Sequence, residues 1–133
     1  MTRSVGGKVG GKPGASAKRA LGKTGEDLAV AWYEARGYDV VARNWTCRAG
    51  ELDIVLRRGR LHVFCEVKAR SSSAFGLPAE AVGPLKRARV RRLAALWFAD
   101  VSRVGAGAWT GGPVRFDVAS VLDSVVEVIE GAF

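Results

Sequence analysis

The stretch from Glu51 to Lys68 decides the fold. Glu51-Leu52-Asp53-Ile54-Val55-Leu56-Arg57 alternates apolar with polar side chains, Arg58-Gly59 is a turn signal, and Arg60-Leu61-His62-Val63-Phe64-Cys65-Glu66-Val67-Lys68 alternates again. Alternation on both sides of a glycine turn predicts an antiparallel hairpin. A two-residue turn at Arg58-Gly59 pairs Arg57 with Arg60. It sets Leu52, Ile54 and Leu56 opposite Cys65, Val63 and Leu61, and with Val67 these form one apolar face. The other face then carries Asp53, Val55, Arg57, Arg60, His62, Phe64, Glu66 and Lys68. Any even turn length keeps this division, because a slip of one residue exchanges the faces. Parity alone therefore places Asp53, Glu66 and Lys68 on the same side of one hairpin.

Outward from the hairpin, Leu21 to Arg36 reads as a helix with a stripe of Leu28, Ala31, Trp32 and Ala35, stopped by Gly37. Thr24 and Asp27 match a capping box, which would start that helix as late as Gly25. Tyr38 to Asn44 is an extended stretch, followed by a short loop from Trp45 to Gly50. Beyond Lys68 lies a Ser-rich loop, and Pro84 then opens a helix to about Asp100 whose apolar residues include Leu85, Ala88, Leu93, Leu96 and Trp97. A Gly-rich loop, Gly105 to Gly112, leads to strands at Val114–Val118 and Val125–Ile129. The order α-β-β-β-α-β-β predicts an α/β domain with a mixed sheet of about five strands flanked by helices.

The chain has 133 residues, enough for one compact domain, and 48% of them are hydrophobic, enough for a core. No run approaches the roughly 18–20 apolar residues of a membrane span, and the first 23 residues lack the apolar stretch of a secretory signal. Cys47 and Cys65 have neither metal-site spacing nor the density of a secreted disulfide scaffold, so the expectation is a cytoplasmic protein with free thiols. The net charge of +8 makes polyanions, nucleic acid first, the leading partner class. That charge is concentrated in two places. Six basic residues, Arg3, Lys8, Lys12, Lys18, Arg19 and Lys23, precede the first acid, Glu26. Lys86, Arg87, Arg89, Arg91 and Arg92 form a second run, and the remaining body is net acidic. Residues 1–20 are rich in Gly and Lys and are read as a disordered tail, either a phosphate tether or a solubilising extension; residues 21–133 are the domain.

Two carboxylates on neighbouring strands suit Mg²⁺, a hard cation that takes oxygen ligands and keeps several waters. Lys68, two residues beyond Glu66 and pointing the same way, is placed to orient a water and to counter charge developing on a phosphate. The same three residues also fit a surface ion-pair cluster of little energetic consequence. Glu26 either favours its helix dipole or belongs to the site. Arg70 contacts phosphate or ends a solvated strand. Lys86, Arg87 and Arg89 read as contacts to a nucleic-acid backbone, with an exposed helix face as the alternative. The direction of Glu51 stays open, and Arg115 and Asp117 fit cross-sheet pairs. The lone His62 cannot build a zinc site and is read as partly exposed and structural. Trp32 and Trp97 read as core; Trp45 and Trp109 fall in loops, where base stacking is one available role.

Asp53, twelve intervening residues and then Glu66-Val67-Lys68 resemble the D…(D/E)-x-K motif of the restriction-endonuclease-like superfamily, which includes the archaeal Holliday-junction resolvases. The longer string is closer still to one group. Gly25-Glu26-Asp27-Leu28-Ala29, Gly37-Tyr38, Asn44, Gly50 to Val55, Phe64 to Arg70, Phe75-Gly76, Lys86, Arg115 to Val118 and Ala132-Phe133 resemble the bacterial YraN-type family of uncharacterised proteins. The likeness covers nearly all of residues 21–133. Cys65, where the family tends to have an aliphatic residue, and the basic tail depart from it. The resemblance implies a restriction-endonuclease-like sheet with Asp53 and Glu66 as metal ligands, Lys68 positioning water and Glu26 as a further acidic member. It implies Mg²⁺-dependent hydrolysis, with Mn²⁺ as a substitute, of phosphodiesters in DNA, branched or flapped DNA of repair and recombination included. The alternative is a nucleic-acid-binding module of this fold without turnover, because fold alone does not fix function. By analogy with junction-cleaving enzymes, a homodimer is expected.

Overall fold

A computed structural model describes residues 17–70, 82–103 and 111–133. The element order is α1 (Ala17–Glu34), β1 (Asp39–Cys47), β2 (Gly50–Arg58), β3 (Leu61–Arg70), α2 (Pro84–Arg103), β4 (Val114–Leu122) and β5 (Val125–Ile129). Residues 1–16, the Ser-rich loop and most of the Gly-rich loop, with Phe75-Gly76 and Trp109, lie outside the described residues.

One sheet carries all five strands in sequence order, β1 to β5. β3 and β4 are parallel, joined by the α2 crossover, and the other three pairings are antiparallel. A parallel pair requires such a crossover, whereas its neighbours need only tight turns. α1 covers one face, where Ala29, Tyr33 and Tyr38 pack on Ile54, Leu56, Val63 and Cys65. α2 covers the other, where Val90, Leu93, Ala94 and Trp97 pack on Leu52, Val55 and Phe64. The expected single apolar face of the hairpin is therefore one of two. Val55 and Phe64, on the side that carries the charges, are fully buried under α2.

The hairpin turn falls one residue later than expected. Arg58 pairs with Leu61 around Gly59-Arg60, and Gly59 takes the left-handed φ of +62° that a tight hairpin turn requires. The turn is still two residues long, so the parity of the faces survives while the register moves: Ile54, not Leu52, opposes Cys65. Parity fails at one point. Leu52 packs with the α2 cluster and Ile54 with the α1 cluster, so the strand turns over at Asp53. β1 follows suit, with a bulge between Val40 and Ala42 and a φ of +52° at Asn44.

α1 begins at Ala17, four residues before the expected start and well before Gly25, so Thr24 lies inside the helix and is not its first cap. Lys18, Arg19 and Lys23 therefore belong to α1, not to the tail. Its buried stripe is also rotated from the expected one: Gly25, Ala29 and Tyr33 face the sheet, while Ala31 and Ala35 are exposed. The reason lies in packing. A Cβ on Gly25 would stand 2.9 Å from Ala69 Cβ, so the helix approaches β3 closely where it has no side chain. Tyr33, whose ring is apolar but whose hydroxyl needs a partner, finds Asp117 Oδ2 at 2.6 Å. Arg115 clasps the same carboxylate at 2.8 and 2.9 Å, and Gly131 N–H donates to it at 3.0 Å. Arg115 and Asp117 thus pair with each other along one strand and lock α1 and the C-terminal turn onto β4. β1 extends to Cys47, so Trp45 is in a strand and not in a loop. Both cysteines are free.

Candidate functional site

Beyond the pair Ile54–Cys65 the β2–β3 ladder stops, and the carboxylate of Asp53 takes over from the backbone. Its Oδ2 accepts the N–H of Val67 at 2.9 Å, which fixes the side chain at the mouth of the parted strands. Glu66, alternating with Phe64, lies on the α2 side of β3 and is only 2% exposed. Lys86 meets it there: Nζ is 3.1 Å from Glu66 Oε1. Glu66 Oε2 is buried and has no hydrogen-bond partner among the described residues. Native proteins rarely leave a buried carboxylate oxygen orphaned without a reason.

The electrostatics follow from this crowding. Burial, and then the charge of Asp53, push Glu66 up to about 7 from the ordinary 4.5, against the pull of Lys86 and Lys68. Burial also raises Asp53, which the Val67 N–H, Lys86 and Lys68 oppose. Asp53 and Glu66 therefore act on each other where the strands part, and Lys68 acts on both. Glu26 arrives from α1, raised first by burial and in part by Asp53, so it too is within reach of the cluster. Its Oε1 is already held by Arg43 at 3.2 Å and by Asn44 at 3.0 Å. Glu51 is exposed, and burial and Asp53 raise it as well. Asp53 and the three carboxylates around it, all with raised values, mark a region of negative potential that a cation would relieve.

These residues fit a hard divalent cation. Asp53 and Glu66 come from neighbouring strands, and one buried Glu66 oxygen lacks a partner. Among the described residues no group of three or more His, Cys, Asp or Glu converges on one point. The two carboxylates would therefore be completed by water or phosphate oxygens, which suits Mg²⁺ and not zinc.

The basic run on α2 divides three ways. Lys86 falls on the stripe of Val90, Leu93 and Trp97 that faces the sheet, which is how it reaches Glu66. Arg87 donates to Val82 O at 2.8 Å and, with Arg91, lies over the ring of Phe133. Arg89 and Arg92 project to the outer side of the helix. The run is thus not one solvated face. Arg70 ends β3 half-buried, on the Glu66 and Lys68 side of the strand. His62 is half-buried against Trp97 and Phe98, and burial lowers its proton affinity, in keeping with a structural role. Trp97 is buried, whereas Trp32 is half-buried beneath the Arg36 guanidinium.

Sequence reasoning missed three partnerships: Arg43 and Asn44 with Glu26, Lys86 with Glu66, and Tyr33 with Asp117. The second was legible in the helical spacing of Lys86, Val90, Leu93 and Trp97. The others join segments distant in sequence and left no periodic signal.

Fold and site together define an α/β protein whose central hairpin gathers two strand carboxylates and a lysine where a mixed sheet parts. A family model described as uncharacterised protein family UPF0102 matches residues 25–121. A UPF0102 protein of Acidothermus cellulolyticus is 45% identical over 128 residues, covering 90% of this chain and 97% of the relative. Another, of Beutenbergia cavernae, is 53% identical over 106 residues, covering 80% and 85%. One from Nocardia farcinica is 50% identical over 105 residues, covering 79% and 78%. The chain belongs to the UPF0102 family, the YraN-type family its motifs resemble.

Proposed function

We propose that the protein is a Mg²⁺-dependent phosphodiesterase of the nuclease type acting on DNA, branched or flapped forms included. One observation carries the reading: the Glu66 carboxylate is buried beside Asp53 with one oxygen unpartnered, and two lysines flank the pair. A fully buried acid held at this electrostatic cost is a functional device more often than a structural one. Asp53 and Glu66 would hold the cation, with Asp53 fixed by the Val67 N–H. When bound, the cation polarises a phosphate oxygen and lowers the pKa of a water. Lys68 donates a hydrogen bond to the attacking water and offsets negative charge as it grows on the phosphate. Glu26, held by Arg43 and Asn44, keeps the potential around Asp53 negative and assists in placing the water.

The test is incubation of labelled linear, flapped and four-way-junction DNA, and of RNA, with Mg²⁺ or Mn²⁺. Wild-type cleavage that Asp53→Ala and Lys68→Ala both abolish supports the proposal. Binding without product under every metal and substrate refutes it in favour of a nucleic-acid-binding module without turnover.

A further inference from the structure

α2 has two apolar stripes, and among the described residues only one is covered. Val90, Leu93, Ala94 and Trp97 face the sheet, but Leu85 is 85% exposed and Leu96 37% exposed on the outer side. Leu85, Ala88, Arg89, Arg92, Leu96 and Ala99 recur at helical spacing and form one wall of a groove of about 830 Å³. Trp45 and Arg48, at the end of edge strand β1, form the other. The helical wall spans about 22 Å from Leu85 to Asp100 at roughly 1.5 Å per residue. It begins at the turn of α2 that carries Lys86, the partner of Glu66.

We infer that this groove seats a single-stranded nucleic acid, with bases on the apolar floor and Trp45 and with phosphates on Arg48, Arg89 and Arg92. The combination is the one such strands select: an aromatic platform and apolar surface for the faces of bases, and guanidinium groups that fork onto phosphate. Charge separates this occupant from a second copy of the chain. Among the described residues the groove presents three arginines against one acid, Asp100, so self-association would bring six arginines together with two aspartates, whereas a polyanion meets complementary charge. The inference deepens the phosphodiesterase reading, on which it rests for where the strand leads: one arm of the substrate lies unpaired along α2 as it leaves the Asp53–Glu66 site.

The test uses the full chain with a chelator present, so that no turnover intervenes, and fluorescence anisotropy of labelled twelve-mers of deoxythymidine and uridine beside a duplex of equal length. The double variant Arg48→Ala/Arg92→Ala is expected to weaken single-strand binding at least tenfold and to lower its salt slope by about 1.4. Trp45→Phe is expected to keep the affinity and Trp45→Ala to lose several-fold. Undiminished single-strand affinity in the double variant overturns the groove proposal, even where the wild type cleaves DNA. So does a dimer, seen by sedimentation without nucleic acid, that the double variant dissolves. Loss of binding in the double variant of a protein that never cleaves sustains the groove and refutes the active-site reading instead.

Discussion

Replacing Glu66 by glutamine keeps the shape of the side chain and removes the charge that the fold holds at a cost. In the folded protein burial and the neighbouring Asp53 push Glu66 up to about 7, from the 4.5 it has when solvated. Between those values the folded state keeps a proton that the unfolded chain has released. Folding is therefore favoured below about pH 4.5, and the benefit is lost as pH rises through 7. The displacement is worth about 3 kcal/mol at roughly 1.4 kcal/mol per unit. For a domain of this size that is on the order of 10 °C in Tm. Lys86, whose side chain is 37% exposed, can turn to solvent when the charge disappears, so the variant leaves no buried cation. Thermal unfolding of wild type and Glu66→Gln from pH 4 to pH 8.5, with a chelator present, gives the difference curve. The variant is expected to gain on wild type steadily above pH 4.5 and to plateau above pH 7. Added Mg²⁺ is expected to recover stability in the wild type only. A flat difference curve, or one in which wild type gains with rising pH, would refute the account of Glu66 as a buried carboxylate repelled by Asp53.

Lys86→Ala removes the ammonium that helps to hold Glu66 charged, so the upper edge of the same window is expected to move up in pH while its lower edge stays, as a wild-type comparison in that titration will measure. Tyr33→Phe breaks the 2.6 Å bond to Asp117 and is expected to cost about 2 kcal/mol in urea unfolding, with any cleavage rate unchanged. Gly25→Val forces α1 off β3, since even a Cβ would meet Ala69 at 2.9 Å; a loss of about 2 kcal/mol or more in urea unfolding is expected. Deleting residues 1–16 removes Arg3, Lys8 and Lys12 only, so the salt slope of duplex DNA binding is expected to fall by less than about 3, as anisotropy across a salt series will show.

The hairpin illustrates how much of the molecule is local. Its alternation and its glycine turn put Glu66 and Lys68 on one side of β3 with Asp53 on the neighbouring strand, though not the turnover at Asp53. An error of one residue in the turn did no harm, because side-chain direction depends on whether the turn is even and not on where it falls. The strands at Val114 and Val125 and the crossover helix were legible for the same reason: each carries its own period. The stripe of α1 was not read correctly, and the apolar residues of α2 were not assigned to a face. On α1, Leu28, Ala31, Trp32 and Ala35 are as apolar as the true stripe, and only the close approach at Gly25 and the Tyr33–Asp117 bond choose between the two faces. On α2, apolar residues occur on both sides, and the sheet can cover only one.

What the sequence determined by itself is therefore the set of elements, the acid/acid/lysine group and the family, all of them carried by short motifs in order along the chain. Tertiary structure alone decided that both faces of the sheet are buried and that the strand turns over at Asp53. It also decided that Lys86 leaves the basic run for Glu66, and that the outer stripe of α2 stays open beside Trp45 and Arg48. These features depend on which surfaces meet, a matter of shape and charge between segments far apart in the chain, and no local period encodes it.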